Sequence, residues 1–275
     1  MNKFSNIAPI GVFDSGVGGL SVLRAIWDEL PYESVIYIAD QAHVPYGSKS
    51  LEEVREYSES ITNYLLQQST KMIVVACNTA SAASLKYLRA KFPEVPFVGM
   101  EPAVKPAVEN SRSRLVGILA TPATFQGELY ASVVERFAVG MELIEHTCPG
   151  LVAQIEAGDI DGPMTYSILN NALFPMLSLG VDTIVLGCTH YPFVIPIIRK
   201  IVGEQVNVID PAPAVARQVN RMLNNYDLKY PDHDYRNRSS PLLMRFITTG
   251  DTESFEAVTT RLLGIDIQAE ALRLS

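Results

Sequence analysis

Apolar runs of a few residues, most of them rich in Val and Ile, recur along this chain with long intervals between them, and that rhythm restricts the fold more than any other feature. They fall at Ile10–Phe13, Val35–Ile38, Ile73–Ala76, Phe97–Met100, Leu115–Leu119, Glu142–Ile144, Thr183–Leu186, Val206–Ile209 and Leu243–Thr248. Continuous apolar runs suit strands buried on both faces, and parallel neighbours need a crossover long enough for a helix. The intervals supply those helices. Leu20–Leu30 sets Leu20, Leu23 and Ile26-Trp27 on one side, and Leu51–Gln67 is rich in Glu and other helix formers. Further helices are expected from Ala214 to about Asn224 and near Ser254–Leu263, a polar surface loop over Tyr226–Pro241, and a tail at the end. The fold class is α/β, with parallel sheets covered by helices.

Two of the strands end alike. Val75-Ala76-Cys77-Asn78-Thr79 and Leu186-Gly187-Cys188-Thr189-His190 each place a thiol at the carboxyl end of a strand, where open α/β sheets hold their ligands. Cys77 precedes a helix whose N–H groups and dipole favour a thiolate, and Cys188 has an imidazole two residues on. Two thiols facing each other across a small substrate suit a reaction that needs a base and an acid on opposite faces of one carbon. Asp14-Ser15-Gly16-Val17-Gly18-Gly19 follows the first strand, where its N–H groups could approach an anion; it is neither a dinucleotide fingerprint nor a Walker A loop. Pro45-Tyr46-Gly47-Ser48 follows Asp40 and His43 after the second strand and can offer further donors. Cys148 has no comparable polar neighbour and reads as structural, and Glu156 alone passes for a helix-surface carboxylate.

Composition narrows the classes. With 275 residues, 48% of them hydrophobic, the chain can form two compact domains or one large one. A formal charge of −8 without a Lys/Arg cluster argues against nucleic acid, so a small polar ligand is expected. The first residues lack a signal-peptide core, and no apolar run approaches the ~18 residues of a membrane span, so the expected location is the cytoplasm. Three cysteines without tight spacing suit free thiols in a reducing compartment. Cys77, Cys188 and His190 could make three metal ligands, but no fourth stands out. No lysine marks a Schiff-base site, and the C-x-x-C of redox proteins is absent. The expectation is chemistry without metal or cofactor.

In order along the chain, Val12–Leu20, Val44–Gly47, Val75–Ser81, Cys148-Pro149, Ile155-Glu156, Gly187–Pro192 and Thr249–Asp251 resemble a bacterial glutamate racemase. The resemblance implies two α/β domains with the active site in the cleft between them: residues 1–99 with 211–275, and residues 100–210. It implies Cys77 and Cys188 as acid/bases, Asp14 assisting the first, His190 and Glu156 the second. It further implies substrate contacts at Asp14, Ser15, Pro45, Tyr46, Gly47, Asn78, Thr79, Thr189 and His190. Thr121 and Thr124 keep a substrate-contacting turn, although Ala123 replaces a common glycine between them. Glutamate as substrate, D-glutamate for peptidoglycan as product role, a homodimer and a cell-wall-precursor activator belong to the same expectation. A racemase for aspartate or a hydantoin, or a glutamate-binding regulatory protein without turnover, are the rival readings.

Overall fold

The computed structural model describes residues 4–231 and 242–274. The chain begins with β1 (Ile10–Asp14), α1 (Leu20–Glu29), β2 (Val35–Ala39), α2 (Leu51–Gln67), β3 (Met72–Val75), α3 (Asn78–Lys91) and β4 (Phe97–Gly99). It continues through α4 (Val104–Asn110), β5 (Leu115–Ala120), α5 (Pro122–Gln126), α6 (Glu128–Phe137), β6 (Glu142–His146), α7 (Leu151–Glu156), α8 (Pro163–Leu179), β7 (Thr183–Gly187), α9 (Ile195–Val202) and β8 (Asn207–Ile209). Last come α10 (Ala212–Asn225), β9 (Met244–Thr248), α11 (Thr252–Leu263) and β10 (Ala269–Ala271).

Two sheets result, and every strand pair in them is parallel. One has the order β10-β9-β2-β1-β3-β4, the other β6-β5-β7-β8. In each, the strand that comes first in the sequence lies inside the sheet with later strands on both sides, so chain order reverses beside it. Such a reversal opens a crevice at the carboxyl ends of the strands. Register aligns those ends: Phe13 pairs with both Ile38 and Val75, and Ala120 with Gly187. Asp14, Cys77, Thr121 and Cys188 therefore all emerge at the two crevices. Behind them β1, β2, β3 and β7 are buried along their whole length, where each Val or Ile contributes roughly 1.5–3 kcal/mol by leaving water. Such rigid strands fix the loops that follow.

Three details go beyond the sequence reading or correct it. The tail forms a strand, β10, at the edge of the first sheet beside β9; its apolar positions are small alanines, too weak to announce it. The expected surface loop at Tyr226–Pro241 begins tucked in, because Leu228 and Tyr230 are buried and the Tyr230 N–H donates to Glu33 at 2.8 Å. Residues 232–241 of that loop lie outside the described residues. Pro106 occupies the first turn of α4, where its missing N–H would have had no helical partner. No described helix is long and apolar enough to cross a membrane.

Candidate active site

The two crevices close on one cavity of about 20 Å³. Ser15, the turn Pro45-Tyr46-Gly47 and Cys77-Asn78-Thr79 line it from the first sheet; Thr121, Val152 and Cys188-Thr189-His190 line it from the second. As it stands it holds a water or two, so an amino acid must widen it. A larger space of about 410 Å³ lies alongside and shares Pro45, Gly47, Thr121 and Val152 as walls. Of the residues expected from sequence, only Asp14, Thr124 and Glu156 stand off the lining, each bonded to residues that are on it.

Cys77 caps α3, with its sulfur accepting the Ala80 N–H at 3.5 Å and lying 4.0 Å from the Ser15 hydroxyl. Asp14 stands behind, fully buried, and accepts from the Gly19 N–H at 2.5 Å and from the hydroxyls of Thr189 at 3.2 Å and Ser15 at 3.4 Å. Burial pushes the Asp14 carboxyl above the usual carboxylate range, outweighing the His190 charge and the hydrogen bonds that lower it. Burial, and after it the neighbouring Asp14 charge, pushes the Cys77 thiol well above the ordinary thiol value. At rest this sulfur keeps its proton.

The second thiol has different neighbours. His190 Nδ1 is 3.6 Å from the Cys188 sulfur, and its Nε2 is 2.5 Å from Glu156 Oε1. Burial alone would lower the His190 pKa, but hydrogen bonds and charge from Cys188 and Glu156 raise it well above the usual imidazole value. Glu156 is pushed up by burial yet ends below the usual range, because His190, Gln41 and the Val17 N–H all bind its charged form. Val17 donates at 2.8 Å and Gln41 at 3.1 Å, both from the first-sheet side. Glu156 is thus no surface carboxylate.

The glycine loop is built for closeness, but its guests are the protein's own side chains. A Cβ on Gly16 would lie 1.9 Å from Glu156 Oε1, and one on Gly18 2.4 Å from His190 Nδ1. Two of the loop's N–H groups already serve carboxylates, Val17 on Glu156 and Gly19 on Asp14. Across the cleft, the Thr79 hydroxyl meets Thr121 at 2.9 Å, and Thr121 meets Thr124 at 2.9 Å, so Ala123 leaves this threonine cluster intact. Tyr46 is buried with its hydroxyl on Asp40 at 2.5 Å, which holds the Pro45–Gly47 turn against the site. Asn78 differs from all of these: both polar atoms of its amide are buried without a partner. A buried amide left so costs on the order of 1–3 kcal/mol, and a polar ligand would satisfy it.

Sequence reasoning passed over Val152 and Gln41. Val152 is one apolar residue of an amphipathic helix, and Gln41 finds its partner 115 positions away, so neither leaves a local signal.

Residues 10–219 match the profile of the Asp/Glu/hydantoin racemase family. A glutamate racemase of Ectopseudomonas mendocina is 47% identical over 262 residues, 95% of this chain and 97% of that one. Among solved structures, a glutamate racemase of Bacillus anthracis superposes with a TM-score of 0.85 at 33% identity, covering 97% of this chain and 98% of the other. A glutamate racemase of Escherichia coli, in complex with L-glutamate and the activator UDP-MurNAc-Ala, superposes with a TM-score of 0.80 at 30% identity, covering 95% and 97%.

Proposed function

This chain belongs to the Asp/Glu/hydantoin racemase family, among its glutamate racemases, and on that footing we propose that it interconverts L- and D-glutamate with Cys77 and Cys188 as its two acid/bases. The observation that carries the reading is that these thiols, from two different sheets, line one cavity. An amino-acid α-proton is far less acidic than a thiol of pKa about 8.5, so a thiolate alone is a poor base. The cleft has to stabilise the enolate-like charge that develops as the proton leaves. Fixed N–H and O–H donors in a water-poor site do this best, and Asn78, Thr79, Thr121 and Thr189 are placed for it.

In one turnover a thiolate removes the α-proton from one face while the opposite thiol delivers its own to the other. The product is the mirror image, and the two sulfurs have exchanged protonation states. An imidazolium at His190 gives one N–H to Glu156 and offers the other to the Cys188 sulfur, which suits a thiolate there. On the other side the raised Asp14 carboxyl is a better proton acceptor than an exposed one, which suits withdrawal of the Cys77 proton. The unpartnered Asn78 amide supports a ligand with both donors and acceptors, as an amino acid has.

The proposal extends to the surroundings of the reaction. We assign each sheet to its own domain, with the divisions at residues 99/100 and 210/211, because the chain changes sheet between β4 and β5 and again between β8 and β9. We place the product, D-glutamate, in peptidoglycan synthesis in the cytoplasm, and we include homodimerisation and response to a cell-wall precursor. The Escherichia coli relative's complex with UDP-MurNAc-Ala supports the last of these. Chiral chromatography of L-glutamate incubated with the protein in deuterated water tests the core of it. D-glutamate carrying deuterium at the α-carbon is expected. Binding without exchange, or turnover of aspartate or a hydantoin in place of glutamate, would overturn it.

A further inference from the structure

Gln41 lies just past the end of β2, off the cavity lining, yet it reaches across to the machinery of the second thiol. Its amide orientation is determined from both ends. The Thr248 hydroxyl oxygen accepts the Gly250 N–H at 3.0 Å, which leaves its O–H to donate to Gln41 Oε1 at 2.9 Å. At the other end a carboxylate can only accept, so Nε2 faces Glu156 Oε2 at 3.1 Å. The base of the side chain packs closely on the Gly250 backbone, where an added Cβ would lie 2.8 Å from Gln41 Cβ.

Glu156 Oε1 is shared by His190 and the Val17 N–H, whereas Oε2 has Gln41. The carboxylate is 12% exposed, so losing Gln41 would leave Oε2 short of a donor in a mostly dry place. It would then rotate toward its remaining donors and carry the imidazole with it. His190 meets the Cys188 sulfur at 3.6 Å, near the limit of a useful contact, so a small tilt weakens it. Among the described residues, the hydrogen bonds of Cys77 go to Ser15 and Ala80, outside this chain of contacts. We infer that Gln41 is a positioning residue for the Cys188 half of the reaction, holding the Glu156–His190 pair from the opposite sheet; this rests on the two-thiol reading above.

Gln41→Met keeps the length and removes both polar ends, and Thr248→Val removes the hydroxyl that orients the amide. The two enantiomers have equal free energies, so kcat/KM for the two directions must stay equal and bulk efficiency hides any asymmetry. Primary deuterium isotope effects on kcat/KM, measured with each α-deuterated enantiomer, reveal it. With Gln41→Met, kcat is expected to fall roughly three- to tenfold and KM to stay within about twofold. The isotope effect rises for one enantiomer and falls for the other, in the same sense as His190→Asn and opposite to Asp14→Asn. Thr248→Val gives the same sense with a smaller loss. Equal changes for both enantiomers, no change, or the Asp14→Asn sense would overturn the inference, and if Gln41→Met does not fold by circular dichroism, Thr248→Val is judged on the same criteria. Wild-type protein that exchanges no α-proton would instead overturn the racemase reading itself.

Discussion

Cys77 is buried beside the Asp14 carboxylate, with the Ser15 hydroxyl and the Ala80 N–H as its hydrogen-bond partners, whereas Cys188 faces an imidazole already paired with a carboxylate. Mirrored positions on two sheets therefore carry unlike charges: the first thiol is held protonated, and the second is offered a positive partner. A reaction that is nearly its own mirror image is run by a site that is not. The comparison also shows how each side is held. Asp14 hangs from the Gly19 N–H of its own loop, with Thr189 reaching in from the other sheet; Glu156 is held by His190 from its own side and by the Val17 N–H and Gln41 from across the cleft.

The thiols themselves are where the comparison breaks most sharply. Cys77→Ala and Cys188→Ala should each reduce racemisation by roughly 10²–10⁴-fold or more in both directions, with the circular dichroism spectrum unchanged. Substantial turnover in either variant would mean that one base suffices. Asymmetry should then emerge on partial crippling, where His190→Asn and Asp14→Asn shift the isotope effects of the two enantiomers in opposite senses.

Glu156→Gln tests the held pair through stability. Glu156 has a depressed value in the folded chain, so its contribution is complete above the ordinary Glu value of about 4.3 and fades as pH falls through the folded one. His190 has a raised value, so its contribution is complete below the ordinary His value of about 6.5 and fades as pH climbs through the folded one. Both are at full strength between about pH 4.5 and 6.5. In that window the variant should be about 2–4 kcal/mol less stable by denaturant unfolding, with the gap narrowing on either side. A gap constant with pH would show that the two groups do not titrate as a pair.

Asn78→Leu should separate binding from folding. The amide has no partner in the protein, so its removal should leave stability unchanged or raise it by up to about 1 kcal/mol. KM for glutamate should rise about tenfold or more. A destabilised variant with normal KM would make Asn78 a structural residue and leave the cavity without its unsatisfied donor and acceptor.

What could be read beforehand follows from how local each signal is. The thiols were legible because each ends a β-branched run, and the run alone fixes strand, carboxyl end and crevice. The parallel sheets were legible for the same reason, while β10 was not, because alanines at its pleat positions carry little hydrophobic contrast. Gly16 and Gly18 announced a close approach, but a missing Cβ does not say whether a ligand or the chain's own Glu156 and His190 will approach. Gln41 could not be found at all, since its meaning lies in a carboxylate on the far side of the cleft.

The smallest effect concerns the far end of the second sheet. Asp182, just before β7, accepts from the Ser111 hydroxyl and the N–H groups of Arg112 and Ser113, all at 2.7 Å, and from the Thr183 hydroxyl at 3.1 Å. Burial is the largest single influence and pulls its carboxyl up, but the donors together outweigh it and hold the pKa at about 2. A depressed carboxylate stabilises fully above its ordinary value near 3.9 and loses that contribution as pH falls toward 2. Because the group is only partly buried, screening limits the expected cost of Asp182→Asn to about 1 kcal/mol at neutral pH, vanishing near pH 2. Turnover and isotope effects should not change, because the β7 strand separates this cluster from Cys188 by its full length. If they did change, the rigidity of β7 would be part of what sets Cys188 apart from Cys77, and the asymmetry would extend beyond the side chains around the cleft.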